Sequence, residues 1–193
     1  MNKTKSTLID VARQLFARLG VENTTMNDIA IASHKGRRTL YTYFNSKNEI
    51  YQAVLKTELN KMYLALQEVA NMEMPAEEKL LLFLSTRFNA IKTVVARNGT
   101  LKADFFRDIW RVQYARKAFD KKEIEILTNI LKDGVKEGVF EMPDVQVTAE
   151  VLHHAFRGLE VPFIRGQINP LTRTAESNQE NIAHLIFRGI KKK

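Results

Sequence analysis

The chain has 193 residues, 45% of them hydrophobic, with 30 basic against 22 acidic side chains, a net charge of +8 and no cysteine. This hydrophobic share builds a core and excludes a disordered chain. The missing thiols exclude disulfides, thiolate catalysis and cysteine-ligated zinc or iron–sulfur centres.

Gly and Pro are sparse, and period-two β-branched runs are nearly absent, so long helices are expected. The N-terminus, MNKTKSTLID, has no apolar signal-peptide core, and no apolar run approaches a membrane span. A cytoplasmic location is therefore expected. Residues 1–50 carry 8 basic and 4 acidic side chains, so the positive excess is densest in the first quarter. That asymmetry suggests a polyanion partner, with a merely solvated basic face as the alternative.

In chain order, Leu8, Ile9, Ala12, Leu15, Phe16 and Leu19 form one apolar face of a first helix over about 5–19, stopped by Gly20. Thr25 and Asp28 have capping spacing and open a second helix through Ala32, with Met26, Ile29 and Ala30 inward. Ser33, His34 and Lys35 connect it to a third, from about Gly36 to Phe44, anchored by Leu40 and Phe44. Ser46 and Glu49 form a capping box that opens a fourth, to about Val69. Its apolar face is Ile50, Val54, Leu55, Leu59, Met62, Leu66 and Val69. Pro75 suits the first position of a fifth helix, with Glu77 and Glu78 in its first turn and an end near Asn98. A sixth is expected over 101–112, a seventh over 114–137 and an eighth, capped by Asp144, from Val145 to about Ile164. Pro162 should kink or fray that eighth helix near its end. A ninth runs from about Thr174 to Ile190, with Lys191, Lys192 and Lys193 suited to its negative end.

The expected fold is all-α with about nine helices. A three-helix unit containing a helix-turn-helix, residues 1–47, precedes a C-terminal helical bundle, residues 48–193.

No acid occurs between Asp28 and Glu49, whereas Lys35, Arg37, Arg38 and Lys47 do. A second helix of a helix-turn-helix enters the DNA major groove by its N-terminal part. There Arg37 and Arg38 can read guanine or grip phosphate. Tyr41 and Tyr43 offer hydroxyls to phosphates and ring faces to thymine methyls, and Lys47 can pair a phosphate. The alternatives are that Tyr41 is half core and that Arg38 pairs with Asp28 or Glu49.

Ile29-Ala30, then Thr39-Leu40-Tyr41-Thr42-Tyr43-Phe44, then Ser46-Lys47 and Glu49 resemble the signature of TetR-family transcriptional regulators. The preceding Leu15-Phe16, Gly20 and Thr24-Thr25 match too, so the resemblance covers about residues 8–55. It implies a homodimer of nine-helix subunits on a double-stranded operator. It also implies DNA contact from Thr25, Arg37, Arg38, Thr39, Tyr41, Tyr43 and Lys47, with Lys35 added by its place in the turn. The family usually has Gly, an apolar residue and Ser or Thr in the turn; here stand His34, Lys35 and Gly36. His34 must then take a left-handed conformation, Lys35 must send its head to solvent or phosphate, and Gly36 replaces a hydroxyl cap.

The C-terminal part looks like a sensor by the same resemblance. Phe83, Phe88, Phe105, Phe106, Trp110, Tyr114, Phe119 and Phe156 can line a cavity for an apolar or amphipathic effector, or can simply be core. Val151, Leu152, Ala155, Phe156, Leu159 and Phe163 form one stripe, and Ile182, Leu185, Ile186 and Ile190 another. These stripes suit a two-fold dimer interface or an intramolecular pair.

No catalytic constellation and no phosphate loop occurs, so an enzyme and a cofactor are not expected. Nor is a metal: adjacent His153 and His154 point about 100° apart on a helix and do not chelate as an i, i+4 pair would. The leading expectation is a ligand-responsive repressor that a small molecule releases from a palindromic operator, with the fourth helix as lever. The alternatives are a helical enzyme or small-molecule carrier with an incidental basic face, and a nonspecific architectural DNA binder.

Overall fold

A computed structural model describes residues 3–97, 109–168, 185–190 and 192. Among them run α1 (Lys3–Leu19), α2 (Met26–Ala32), α3 (Arg37–Tyr43), α4 (Lys47–Ala70), α5 (Ala76–Arg97), α6 (Ile109–Lys136), α7 (Val145–Ile164) and α8 (185–190). The protein divides into two compact units, one from Met1–Asn60 with Thr93–Lys117, the other from Lys61–Lys92 with Ala118–Lys193.

In the first unit the period-3.6 apolar positions are the buried ones. Leu8, Ala12 and Phe16 of α1, Ile29 of α2, Leu40 of α3 and Ile50 of α4 are all fully buried. Each such side chain contributes about 1.5–3 kcal/mol relative to exposure. Phe16 meets Tyr51 edge-on with ring centroids 6.0 Å apart. Leu19, read as the last member of the α1 face, is instead 40% exposed, because the helix ends there and Gly20 turns the chain away at φ 85°.

In the second unit Leu66, Leu80, Phe83, Phe88, Leu127, Leu131, Phe140, Ala149 and Phe156 supply buried apolar side chains. The N-terminus of α5 takes a cap from a distant position, since Ala76 N–H donates to Glu137 Oε2 at 2.9 Å. Pro75 stands one residue ahead of the helix, where its carbonyl accepts from Lys79 N–H at 2.9 Å. The expected break between a sixth and a seventh helix near residue 113 does not occur. The helix from Ile109 to Lys136 is continuous, and Val112-Gln113-Tyr114 contains neither a Gly nor a Pro to stop it. Asp144 caps α7 as expected, its Oδ1 accepting from Val147 N–H at 3.0 Å, and the helix runs two residues past Pro162. Residues 101–108 of the expected sixth helix (101–112) and 174–184 of the expected ninth (174–190) lie outside the described residues; 109–112 belong to α6 and 185–190 are helical. No helix among the described residues is long and apolar enough to cross a membrane.

Candidate DNA-binding interface

The interface is built from two seven-residue helices and the stop between them. Thr25 caps α2 reciprocally with Asp28. Asp28 N–H donates to Thr25 Oγ1 at 3.1 Å, and Thr25 N–H donates back to Asp28 Oδ2 at 2.8 Å. The Thr25 hydroxyl also donates to that carboxylate, at 2.7 Å. These side-chain and then backbone hydrogen bonds from Thr25 hold the Asp28 carboxyl below its ordinary value of 3.8.

The end of α2 is a left-handed stop. Lys35 N–H reaches back to Ala30 O at 3.1 Å and His34 N–H to Ile31 O at 3.0 Å, the 6→1 and 5→2 pair that terminates many helices. The residue between must have positive φ, and His34 sits there at φ 52°, the one non-glycine residue with positive φ among the described residues. An L-residue in this region costs roughly 1–2 kcal/mol. Gly36 follows at φ −63° and ψ 149° as the N-cap of α3, with no side chain to satisfy an amide.

On α3, Leu40 is fully buried and Phe44, its C-cap, is 2% exposed, so this edge is locked to the core. The opposite face carries the chemistry. Lys35, Arg37, Arg38 and Tyr41 are exposed, Thr39 and Tyr43 half-buried. The guanidiniums of Arg37 and Arg38 make no ion pair or hydrogen bond among the described residues. The acids that were the alternative partners of Arg38 are engaged elsewhere, Asp28 in the α2 cap and Glu49 on Asn45. Glu49 N–H donates to Ser46 Oγ at 3.2 Å, but the Glu49 carboxylate reaches one residue beyond the expected box, to Asn45 N–H at 2.8 Å. Lys47 is half-buried; its ammonium donates to Val21 O at 2.7 Å and to Glu22 O at 3.1 Å, so two of its three protons pin the turn before α2.

The expected sensor residues divide. Phe83, Phe88 and Phe156 are fully buried in the second unit, and Phe88 packs edge-on against Phe163 at 5.1 Å. Phe119 is buried as well. Phe105 and Phe106 lie outside the described residues, as do the side chains of Trp110 and Tyr114. Of the stripe on α7, Leu152 is buried, Leu159 and Phe163 half-buried, Ala155 exposed and Val151 61% exposed. On α8, Leu185 is 71% exposed and Ile186 half-buried, and Ile182 lies outside the described residues.

Sequence reasoning missed a buried charged network on α5, α6 and α7. Fully buried Arg87 donates from Nε to Glu123 Oε1 at 2.5 Å, from Nη2 to Glu160 Oε1 at 2.6 Å and from Nη1 to Phe156 O at 3.4 Å. His153 Nδ1 meets Glu123 Oε2 at 2.7 Å. Burial alone would raise the Glu123 carboxyl; the Arg87 charge and the hydrogen bonds from His153 and Arg87 outweigh it and hold the group below its ordinary 4.5. The signal was available: Arg87 falls on the inward period of Phe83, Leu84, Phe88 and Ile91, and Glu160 on that of Leu152 and Phe156.

A capped helix, a left-handed stop and a second helix with free guanidiniums define a helix-turn-helix DNA-binding protein. Residues 8–54 match the family model described as bacterial regulatory proteins, tetR family. The transcriptional repressor KstR2 of Mycolicibacterium smegmatis is 27% identical over 142 residues, 72% of this chain and 68% of that one. Two solved structures share the fold along nearly their whole length. A transcriptional regulator from Cytophaga hutchinsonii has TM-score 0.74 at 23% identity, covering 97% of this chain and 98% of that one. The fatty acid degradation regulator FadR from Bacillus halodurans has TM-score 0.64 at 15% identity, covering 97% and 94%. Residues 8–54 thus carry the DNA-binding domain of the TetR family, and the chain as a whole is similar to DNA-binding transcriptional regulators of that kind.

Proposed function

We propose that this regulator is a homodimeric repressor that binds a palindromic operator and leaves it when a small apolar or amphipathic molecule binds the C-terminal bundle. The observation that carries the DNA part is the exposed, unengaged pair Arg37 and Arg38 on the face of α3 opposite buried Leu40. Both stand in the first turn of α3, the part of a recognition helix that meets base edges. Arg37 and Arg38 then contact bases or phosphates, with Lys35, Thr39, Tyr41 and Tyr43 beside them. Lys47 keeps one proton for a phosphate, and Thr25, whose hydroxyl is committed to the cap, contributes chiefly by fixing α2.

For the dimer, the support is the exposed edge of α7, where Val147, Val151 and Ala155 recur every four residues, together with exposed Leu185. An isologous contact through α7 and the C-terminal helix would give two recognition helices the two-fold symmetry of a palindrome. For the effector, the support is the aromatic set on the middle helices and the fatty acid regulator among the fold neighbours. The molecule would act by favouring a subunit geometry that no longer matches the half-site spacing.

The test is selection of binding sites from a random duplex library with the purified full-length protein, followed by titration of the winning duplex at several salt concentrations. A two-fold symmetric site bound by two chains, with affinity falling steeply as salt rises, is expected. Equal affinity for every duplex would reduce the protein to a nonspecific binder.

A further inference from the structure

Among the described residues, the buried network on α5, α6 and α7 leaves a histidine ring nitrogen without a hydrogen bond. His153 is 1% exposed, and its Nε2 has no hydrogen-bond partner. The other ring nitrogen, Nδ1, donates to the Glu123 carboxylate, which can only accept. In the neutral ring this bond fixes the tautomer and leaves a lone pair on Nε2. Asp120 Oδ1 lies 3.8 Å from Nε2.

We propose that Asp120, Glu123 and His153 form a binding site for a divalent first-row transition cation. His153 Nε2 and the Asp120 carboxylate are the direct ligands. Glu123 is a positioning residue, holding the imidazole by Nδ1 as carboxylates hold ligating histidines in known metal centres. Solvent completes the coordination.

Three observations carry this site. One ligand-capable atom from each of the three residues lies within 4.8 Å of the others. Ligands about 2.0–2.2 Å from a zinc ion stand roughly 3–4 Å apart, which the His153–Asp120 separation matches. Asp120 and Glu123, three apart on α6, share one helix face toward His153 on α7, the arrangement by which helical bundles hold metals between facing helices. Buried Nε2 also gives a reason for the site beyond acidity, since an unsatisfied buried nitrogen is costly and a cation would satisfy it. Arg157 Nη1 engages Asp120 Oδ2 at 3.3 Å, at the rim where the Asp120 side chain keeps 17% of its surface exposed, and this rim is the entry. The mixed nitrogen and oxygen donor set suits zinc and its neighbours rather than calcium.

The test uses the full-length protein stripped with chelator and titrated with zinc chloride by calorimetry, with melting followed in parallel. One zinc per chain and a higher melting temperature with zinc are expected. Asp120→Asn and His153→Gln should each weaken zinc binding at least tenfold and abolish the melting shift, while His154→Gln, an exposed neighbour, should change neither. Should His153→Gln fail to fold, Asp120→Asn decides alone. No zinc binding by the parent protein, or equal binding by the parent and Asp120→Asn, would overturn the site. DNA affinity is not part of the readout, so this result stands apart from that of the operator titration.

Discussion

Three adjacent residues, His34, Lys35 and Gly36, join α2 to α3, the proposed recognition helix, and the backbone of two of them can be tested alone. His34 holds φ 52° where glycine would rest without strain. His34→Gly should therefore stabilise the protein by up to about 1 kcal/mol, the left-handed strain relieved less the entropy a glycine adds to the unfolded chain. A β-branched residue there, such as His34→Val, should lower the melting temperature instead. Gly36 has φ −63°, which any residue adopts, and nothing lies within 4 Å of where its Cβ would stand. Gly36→Ser should add a hydroxyl cap to α3 and raise stability by a few tenths of a kcal/mol, read as a higher denaturation midpoint. The Asp28 cap carries a pH dependence of its own. Because its carboxyl is held below 3.8 in the folded protein, its contribution is full above that value and is lost as pH falls through the depressed folded value.

Among the elements, α2 and α3 were legible from sequence because short-range chemistry determines them. Thr25 and Asp28 announced the cap, Leu40 and Phe44 the buried edge, and the Ser33–Gly36 stretch the turn. The seven apolar residues read for α4 are all buried. The reading failed where the information is long-range. Nothing local says that Glu137 caps α5, or that Glu123 and Glu160 converge on Arg87 from 36 and 73 residues away. Arg87 occupies an inward position on α5, but only the folded chain brings its two carboxylates to it. The network yields a large expected effect. Arg87→Met leaves two buried carboxylates without their shared cation and should cost about 3–5 kcal/mol, measured by urea denaturation. Acid should act on the same group: Glu123 stabilises fully above about pH 4.5 and loses that contribution as pH falls through its lower folded value. Gly134 is a second exacting position, since a Cβ there would stand 2.0 Å from the Phe140 ring; Gly134→Ala should destabilise the α6 end.

At the scale of the whole molecule, the proposed repressor is a pair of chains. The sequence suggested that the α7 stripe could divide between its own core and a partner; Leu152 is buried and its neighbour Val151 exposed, which leaves Val151 available for the proposed dimer contact. Val151→Glu should then shift the protein from dimer to monomer in sedimentation and weaken binding to a palindromic duplex far more than to a single half-site. The most direct measurement of the recognition helix is the affinity of the parent protein, Arg37→Ala and Arg38→Ala for the selected operator, by fluorescence anisotropy across a salt series. An arginine that reads a base should cost about 1–3 kcal/mol and relax preference at its position, whereas one that grips phosphate should lower the salt slope by about 1. Operator binding unchanged in both variants, with folding intact, would contradict the assignment of α3 as the recognition helix.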